Sequence, residues 1–198
     1  MWTNWRKANY NYLKEHLGKG DASKTLIDLG AGPQRFKDLT SKFNLISVDF
    51  YHQEGIDVVA DITKGLPFNN DSADIILLSN VLEHIPNPEQ LIKECWRVLR
   101  TSGFIVGVVP FLIKVHQEPH DFLRYTPFML KRLLGEGCEV KSLGNPRDVY
   151  LTASSQYFKK VKKAKMAKFI HGLLTRILPE TVPDDKFTEG YGFKVYKN

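Results

Sequence analysis

The chain has 198 residues, 42% of them hydrophobic, and 28 Lys and Arg against 22 Asp and Glu give a formal net charge of +6. That length suits one domain with a real core, and the hydrophobic share excludes wholesale disorder. Cys95 and Cys138 make neither a disulfide framework nor a paired-cysteine metal site, no apolar run nears the roughly 18–20 residues of a membrane span, and residues 1–7 lack a signal peptide's apolar core, so a cytoplasmic protein is expected.

The chain opens with Trp2 to Leu17, whose apolar residues fall near helical spacing and stop at Gly18 and Gly20. An N-terminal helix within residues 1–20 is expected. Thr25 to Leu29 is a short apolar run that stops at Gly30 and Gly32, which reads as a buried strand and a glycine turn. Phe36 to Phe43 can form the next helix. Leu45 to Asp49 and Asp57 to Asp61 are further strands, each ending in an acid, and Asp74 to Ser79 is a fourth. Pro88 to Leu99 makes a helix with Leu91, Ile92, Cys95, Trp96 and Leu99 on one face. Ser102-Gly103 is a turn before a fifth strand, Phe104 to Val109. Thr126 caps a helix with Pro127 at its first position, running through Leu134. Val140 to Leu143 and Tyr191 to Tyr196 complete the strands, the last expected antiparallel.

Strands alternate with helices from residue 25 to about 143, which calls for an α/β fold with a mostly parallel sheet covered on both faces. Ligands of such sheets bind beyond the carboxyl ends of the strands. Asp28, Asp49, Asp61 and Ser79 stand at those ends.

The charge is concentrated. Lys159, Lys160, Lys162, Lys163, Lys165, Lys168 and Arg176 lie between Val149 and Pro179 with no acid among them, so the rest of the chain is close to neutral. Tyr157 to Leu178 can form one basic helix with Met166, Phe169, Ile170, Leu173, Leu174 and Ile177 on one face. Three readings stand: a solvated helix packed on the body, a helix lying on an anionic membrane surface, and a nucleic-acid arm. The third is the least favoured, because no aromatic interleaving suggests base stacking.

The turn Asp28-Leu29-Gly30-Ala31-Gly32-Pro33 has the glycines that close approach of a ligand to the backbone requires. Two features disfavour the rival reading, a dinucleotide fingerprint. The position three after Gly32 is Arg35 rather than glycine, and Asp28 would crowd a pyrophosphate. A carboxylate there suits a cationic ligand such as S-adenosylmethionine, which carries an ammonium and a sulfonium. Asp49, 19 residues after Gly30, suits ribose hydroxyls. Asp61 can accept from an adenine amino group, with Ile62 against the ring.

Over roughly residues 22 to 143 the chain resembles the class I S-adenosylmethionine-dependent methyltransferases. The motifs are the Asp-Leu-Gly-Ala-Gly turn, the strand-end acids Asp49 and Asp61, and Leu66-Pro67-Phe68. With them go Ser79-Asn80-Val81-Leu82-Glu83-His84-Ile85 and the Leu99 to Phe104 turn. The last three resemble the branch acting on small molecules and lipids. The resemblance implies a Rossmann-like, seven-stranded single domain over 1–198 with a basic helical insertion at about 149–182. It implies S-adenosylmethionine held by Asp28, Gly30, Ala31, Gly32, Asp49, Phe50, Asp61, Ile62 and Asn80. Gln34 departs from the pattern, standing where a further glycine is usual, and Thr101-Ser102 replaces a proline-glycine pair.

The element Asn/Asp-Pro-Pro-Tyr/Phe, usual in enzymes that methylate base amino groups, is absent, as is a placed cysteine for cytosine C5 chemistry. For the chemical step, His84 and His120 are the base candidates. His116, Asp121, Arg124 and Tyr125 are acceptor-side candidates in a polar loop after the fifth strand. The loop resembles stretches of methyltransferases in glycan and lipid pathways. Its alternative reading is a lid in which Asp121 and Arg124 pair and Tyr125 packs. The irregular spacing of His116, His120 and Asp121 gives no expectation of a metal. The expected function is methyl transfer to a small-molecule or lipid- or sugar-linked acceptor, with oxygen as the expected acceptor atom. The alternatives are an RNA methyltransferase using Lys159 to Lys168 and a non-catalytic cofactor-binding accessory protein. Localisation is expected to be cytoplasmic, with peripheral membrane contact through the basic helix as an option.

Overall fold

The computed structural model describes residues 3–161 and 164–198, apart from the side chains of residues 159, 164, 167 and 168. Trp2, Lys162 and Lys163 lie outside the described residues, as do the side chains of Lys159 and Lys168.

Helix α1 (Asn4–Leu17) starts at Thr3, whose hydroxyl accepts from the Arg6 N–H, and ends at Gly18. It is followed by β1 (Thr25–Leu29), α2 (Lys37–Thr40), β2 (Asn44–Asp49), β3 (Val58–Val59) and β4 (Ala73–Ser79). Then come a 3-10 turn at Leu82–His84, α3 (Pro88–Val98), β5 (Leu99–Pro110), α4 (Pro127–Leu134) and β6 (Glu139–Leu143). Helices α5 (Pro146–Lys160) and α6 (Ala164–Ile177) precede β7 (Gly190–Tyr196). The seven strands form one sheet in the order β3-β2-β1-β4-β5-β7-β6. β7 runs antiparallel to both β5 and β6, and the other pairs are parallel.

Alternation along the strands fills two cores. Leu26, Ile75, Leu77, Val106 and Val108 face α1 and α2, meeting Tyr12, Leu13, Leu17, Leu39 and Phe43. Ile27, Leu29, Ile76, Leu78, Ile105 and Val109 face the other way, onto Leu91, Ile92 and Cys95 of α3 and Leu130 and Leu134 of α4. Strands buried on both faces are mostly apolar, as β1 and β4 are in Leu26, Ile27, Leu29 and Ile75 to Leu78, with Asp28 the buried exception in β1. Truncating one such side chain, Leu13 for example, would cost about 2–5 kcal/mol.

Four local expectations are revised. The helix expected at Phe36 to Phe43 shrinks to one turn, because Ala31 to Phe36 is spent on turns and Phe43 N–H bonds Thr40 C=O. The third strand keeps two residues. Asp57, just ahead of it, donates its amide to the Ser47 carbonyl while its carboxylate accepts from the amide and hydroxyl of Ser47. Ser102, at φ 65, makes its turn inside β5 rather than ahead of it, and Lys197 bonds both sides of that turn. The expected basic helix from Tyr157 to Leu178 is described as the end of α5, which starts already at Pro146, and as α6 from Ala164, with residues 162 and 163 outside the described residues. No described helix is long and apolar enough to cross a membrane.

Candidate active site

The carboxyl ends of β1, β2, β4 and β5 converge where the order of the sheet turns from β1 to β4. On the β1 side, Gly30 (φ 70) and Gly32 (φ 51) bend the chain in the left-handed region. The Gly30 and Ala31 amides donate to the Val48 carbonyl at 2.9 and 3.0 Å. The Gly32 amide donates to Asp49 Oδ2 at 2.8 Å, and Tyr51 N–H donates to Asp49 Oδ1 at 3.1 Å. A Cβ on Gly30 would meet Val81 Cγ2 at 2.7 Å, so the turn is pressed against the segment after β4. Gln34 takes φ 47, the same left-handed conformation that a glycine would supply, and its amide donates to the Gly55 carbonyl. The Gln34 departure therefore preserves the backbone path.

Asp28 is buried at 8% exposure, and among the described residues no donor reaches its carboxylate. Burial and the neighbouring charge of Asp49 push its carboxyl up to about 7. Phe50 is 58% exposed and meets Tyr51 edge-on at 4.9 Å, leaving an open aromatic face beside Asp49. Asp61 accepts from the Thr63 hydroxyl at 2.6 Å and amide at 3.1 Å, and pairs with Lys64 at 3.3 Å. The Thr63 hydroxyl, first among these partners, holds its carboxyl below the usual range. Ile62 packs half-buried on the core. Asn80 adopts φ 56 and donates its backbone N–H to Val108 at 2.9 Å. It is the strained residue at the end of β4.

On the β4–β5 side, the polar loop is stitched to the Leu82–His84 turn. Phe122 and Leu123 amides donate to the Glu83 carbonyl at 2.8 and 3.2 Å. Tyr125 is 1% exposed and donates its hydroxyl to the Leu82 carbonyl at 3.0 Å. Its side chain is a pillar under the loop and not an acceptor contact, which corrects that expectation. Arg124 grips Asp121 with a two-pronged pair at 2.5 and 2.7 Å. The guanidinium holds the Asp121 carboxyl well below the usual range. Both charges are thus committed to shaping the loop, the lid arrangement weighed above.

His120 is exposed, its ring 6.1 Å from that of Phe122, and its carbonyl lies 2.6 Å from His84 Nδ1. Burial pulls the His84 imidazole down, opposed by that carbonyl. The other ring nitrogen, Nε2, is buried 3.8 Å from Glu83 Oε1. His116 Nε2 lies 3.8 Å from the same oxygen. Ligand atoms of Glu83, His84 and His116 all fall within 4.8 Å of one another. The metal-free expectation was framed on His116, His120 and Asp121; the cluster that forms contains only the first of these. Burial pushes the Glu83 carboxyl up to about 8, against the pull of its own backbone amide and of Arg124. Glu83 is the residue that sequence reasoning passed over. An acid between Leu82 and His84 in a short apolar stretch was the one signal available.

The comparisons with known proteins bear on the family and the fold. Residues 16–107 match the family described as methyltransferase domain. An uncharacterised methyltransferase of Mycobacterium avium is 38% identical over 102 residues, 45% of this chain and 40% of that protein. The chain spans about half the length of the curated relatives it matches. A SAM dependent methyltransferase from Archaeoglobus fulgidus superposes with TM-score 0.66 at 14% identity, covering 98% of this chain and 95% of that one. Haemonchus contortus phosphoethanolamine N-methyltransferase 2 in complex with S-adenosyl-L-methionine gives TM-score 0.62 at 17% identity, covering 98% and 52%.

Proposed function

We propose that this chain, which has the fold of the class I S-adenosylmethionine-dependent methyltransferases and carries their methyltransferase domain over residues 16–107, transfers a methyl group to an oxygen of a small-molecule or lipid- or sugar-linked acceptor. The observation that carries the cofactor half is Asp28. A buried carboxylate beside a second carboxylate, with no cation among the described residues to neutralise it, fits a ligand that brings its own positive charge. S-adenosylmethionine, when bound, supplies the methyl group on a sulfonium. The chain's own residues hold it. The glycine turn leaves room for the methionine end, and Asp28 offers its charge to the ammonium. Asp49, fixed by the Gly32 and Tyr51 amides, keeps lone pairs for ribose hydroxyls. Phe50 and Ile62 offer apolar surface for the adenine. Asp61 reaches it only through whatever capacity its own turn leaves.

Displacement at a methyl group needs an aligned acceptor and, for a hydroxyl, a proton acceptor. His120, exposed on the loop above the strand ends, suits that task. His84 does not, since its free nitrogen is turned onto Glu83. Lipid- or membrane-linked acceptors are favoured by α6. Phe169, Leu173 and Ile177 are 71%, 45% and 62% exposed in one stripe, with Met166 at its start, while Ile170 and Leu174 are half-buried. An amphipathic helix with its apolar face uncovered and Lys165 and Arg176 beside it suits an anionic lipid surface.

Calorimetric titration with S-adenosylmethionine tests the reading. Wild type is expected to bind, and Asp49→Ala to lose at least about 30-fold in affinity, the equivalent of about 2 kcal/mol for hydrogen bonds to a charged group. Labelled methyl transfer is then measured onto separated lipid, aqueous and RNA fractions of a cell extract. Label in RNA alone would replace the acceptor half of the proposal, and cofactor binding without turnover would make the chain an accessory protein.

A further inference from the structure

Glu83 sits fully buried in the turn that follows β4, with neither carboxylate oxygen hydrogen-bonded to any described residue. A carboxylate so placed is costly unless something neutralises it. What faces it are two imidazole nitrogens, His84 Nε2 and His116 Nε2, each 3.8 Å from Oε1. The proton positions follow from the other ring atoms. His84 Nδ1 lies 2.6 Å from the His120 carbonyl, which can only accept, so Nδ1 carries the hydrogen and Nε2 a lone pair. His116 Nδ1 lies 3.1 Å from Asp121 Oδ2, off the line of a full hydrogen bond but close enough to draw its N–H toward the carboxylate. Its Nε2 then also presents a lone pair.

Three lone-pair atoms therefore converge with no side-chain donor among the described residues between them. One proton, whether on Glu83 or on His116, joins one imidazole to the carboxylate and leaves the other lone pair unmatched. A cation satisfies all three at once. We propose that Glu83, His84 and His116 bind a first-row divalent cation of the zinc class, with the His120 carbonyl and the Asp121 carboxylate orienting the two rings. Two imidazoles and a carboxylate are the right donors for such an ion, and the oriented rings are its usual outer partners. Bonds of about 2.0–2.2 Å in a tetrahedral site put ligand atoms about 3.4 Å apart, so the two 3.8 Å separations need to close by only a few tenths of an ångström.

Three protein ligands leave at least one position open. His116, on a side chain 29% exposed, and His84, at 17%, form the side of the cluster that solvent can reach. The open position would take an oxygen of the acceptor, a hydroxyl or a hydroxy-acid pair, and lower its pKa before methyl transfer. Binding of the cation stands on these side chains alone; its use in positioning an acceptor rests on the methyl-transfer reading.

The experiment is run without cofactor or acceptor, so the two readings fail separately. Chelator-treated full-length protein is titrated with Co2+ and then Zn2+, with visible absorption and thermal melting recorded. Wild type should take up about one equivalent of Co2+, develop the intense visible bands of a four- or five-coordinate site, lose them to Zn2+, and melt higher with Zn2+. His116→Ala and Glu83→Gln should each weaken binding at least about 100-fold, and Asp121→Asn about 10–100-fold, as outer-partner changes do. His52→Ala, on an exposed histidine elsewhere, should leave binding unchanged. Only the pale spectrum of the aqueous ion in wild type, or equal affinity in wild type and His116→Ala, overturns the proposal. His116 lies on a partly exposed loop, so that variant carries the test if Glu83→Gln fails to fold.

Discussion

The two sides of the strand-end edge each bury a carboxylate that no hydrogen bond from a described side chain reaches, Asp28 and Glu83, and they solve the resulting problem differently. Asp28 lies beside another acid, Asp49, so its surroundings add negative charge to negative charge. Glu83 lies beside two imidazoles whose lone pairs point at it, so its surroundings add donors to a donor set. The first arrangement calls for an organic cation and the second for an inorganic one. The contrast teaches that a buried acid identifies its ligand through its neighbours and not through its own burial.

The largest test of this contrast is the pH dependence of Asp28. Its folded pKa, raised to about 7, lies above the unfolded value near 4, so the folded form keeps a proton that the unfolded form has lost. Its contribution to stability is complete below about pH 4 and falls as pH rises toward 7, by up to about 1.4 kcal/mol per pH unit. Denaturant melts of wild type against Asp28→Asn across that range should show a slope in the first that is missing in the second. Equal slopes would mean that Asp28 is solvated. Binding of a cationic cofactor below pH 7 should expel the proton, which calorimetry in buffers of different ionisation enthalpy would read.

A smaller effect is expected at Arg124→Gln. Asp121 would lose its two-pronged partner, with a stability loss of about 1–3 kcal/mol in denaturant melts. The same change should loosen His116 while leaving the Asp28 side untouched, so S-adenosylmethionine affinity should stay within about twofold. A parallel loss of cofactor binding would show that the two sides are one unit. Smallest is the effect of Phe169→Ser with Leu173→Ser, both on exposed positions of α6, which should shift stability by no more than about 0.5 kcal/mol. Pelleting with anionic vesicles should nevertheless fall several-fold, which would separate docking from both buried acids.

The order of strands and helices was legible because the buried strands are short apolar runs punctuated by glycine and acids, and Thr126-Pro127 marks the start of α4. The placement of Asp28 and its glycine turn was legible for the same reason, since they are contiguous at the end of β1, as was that of Asp49 at the end of β2. The Glu83 side was not. His116 reaches Glu83 across 33 positions through a loop whose path depends on the Asp121–Arg124 pair and the buried Tyr125 hydroxyl. Those are tertiary contacts with no periodic signature.

The arm has an architectural property of its own. Leu143, where β6 ends, is the register partner of Gly190, where β7 begins. Everything between them, α5 and α6 included, is one excursion that leaves and returns through adjacent rungs of a ladder. Val149 and Leu151 root its first turns in the core, and Thr152 ties it to Glu189 at 2.7 Å. Beyond that root the excursion is a cassette. It can lengthen, shorten or be exchanged between proteins without disturbing the register of the sheet, because loop closure grows only with the logarithm of length. Such a hairpin gives a lineage a place to vary the surface of the molecule while the strand ends stay fixed.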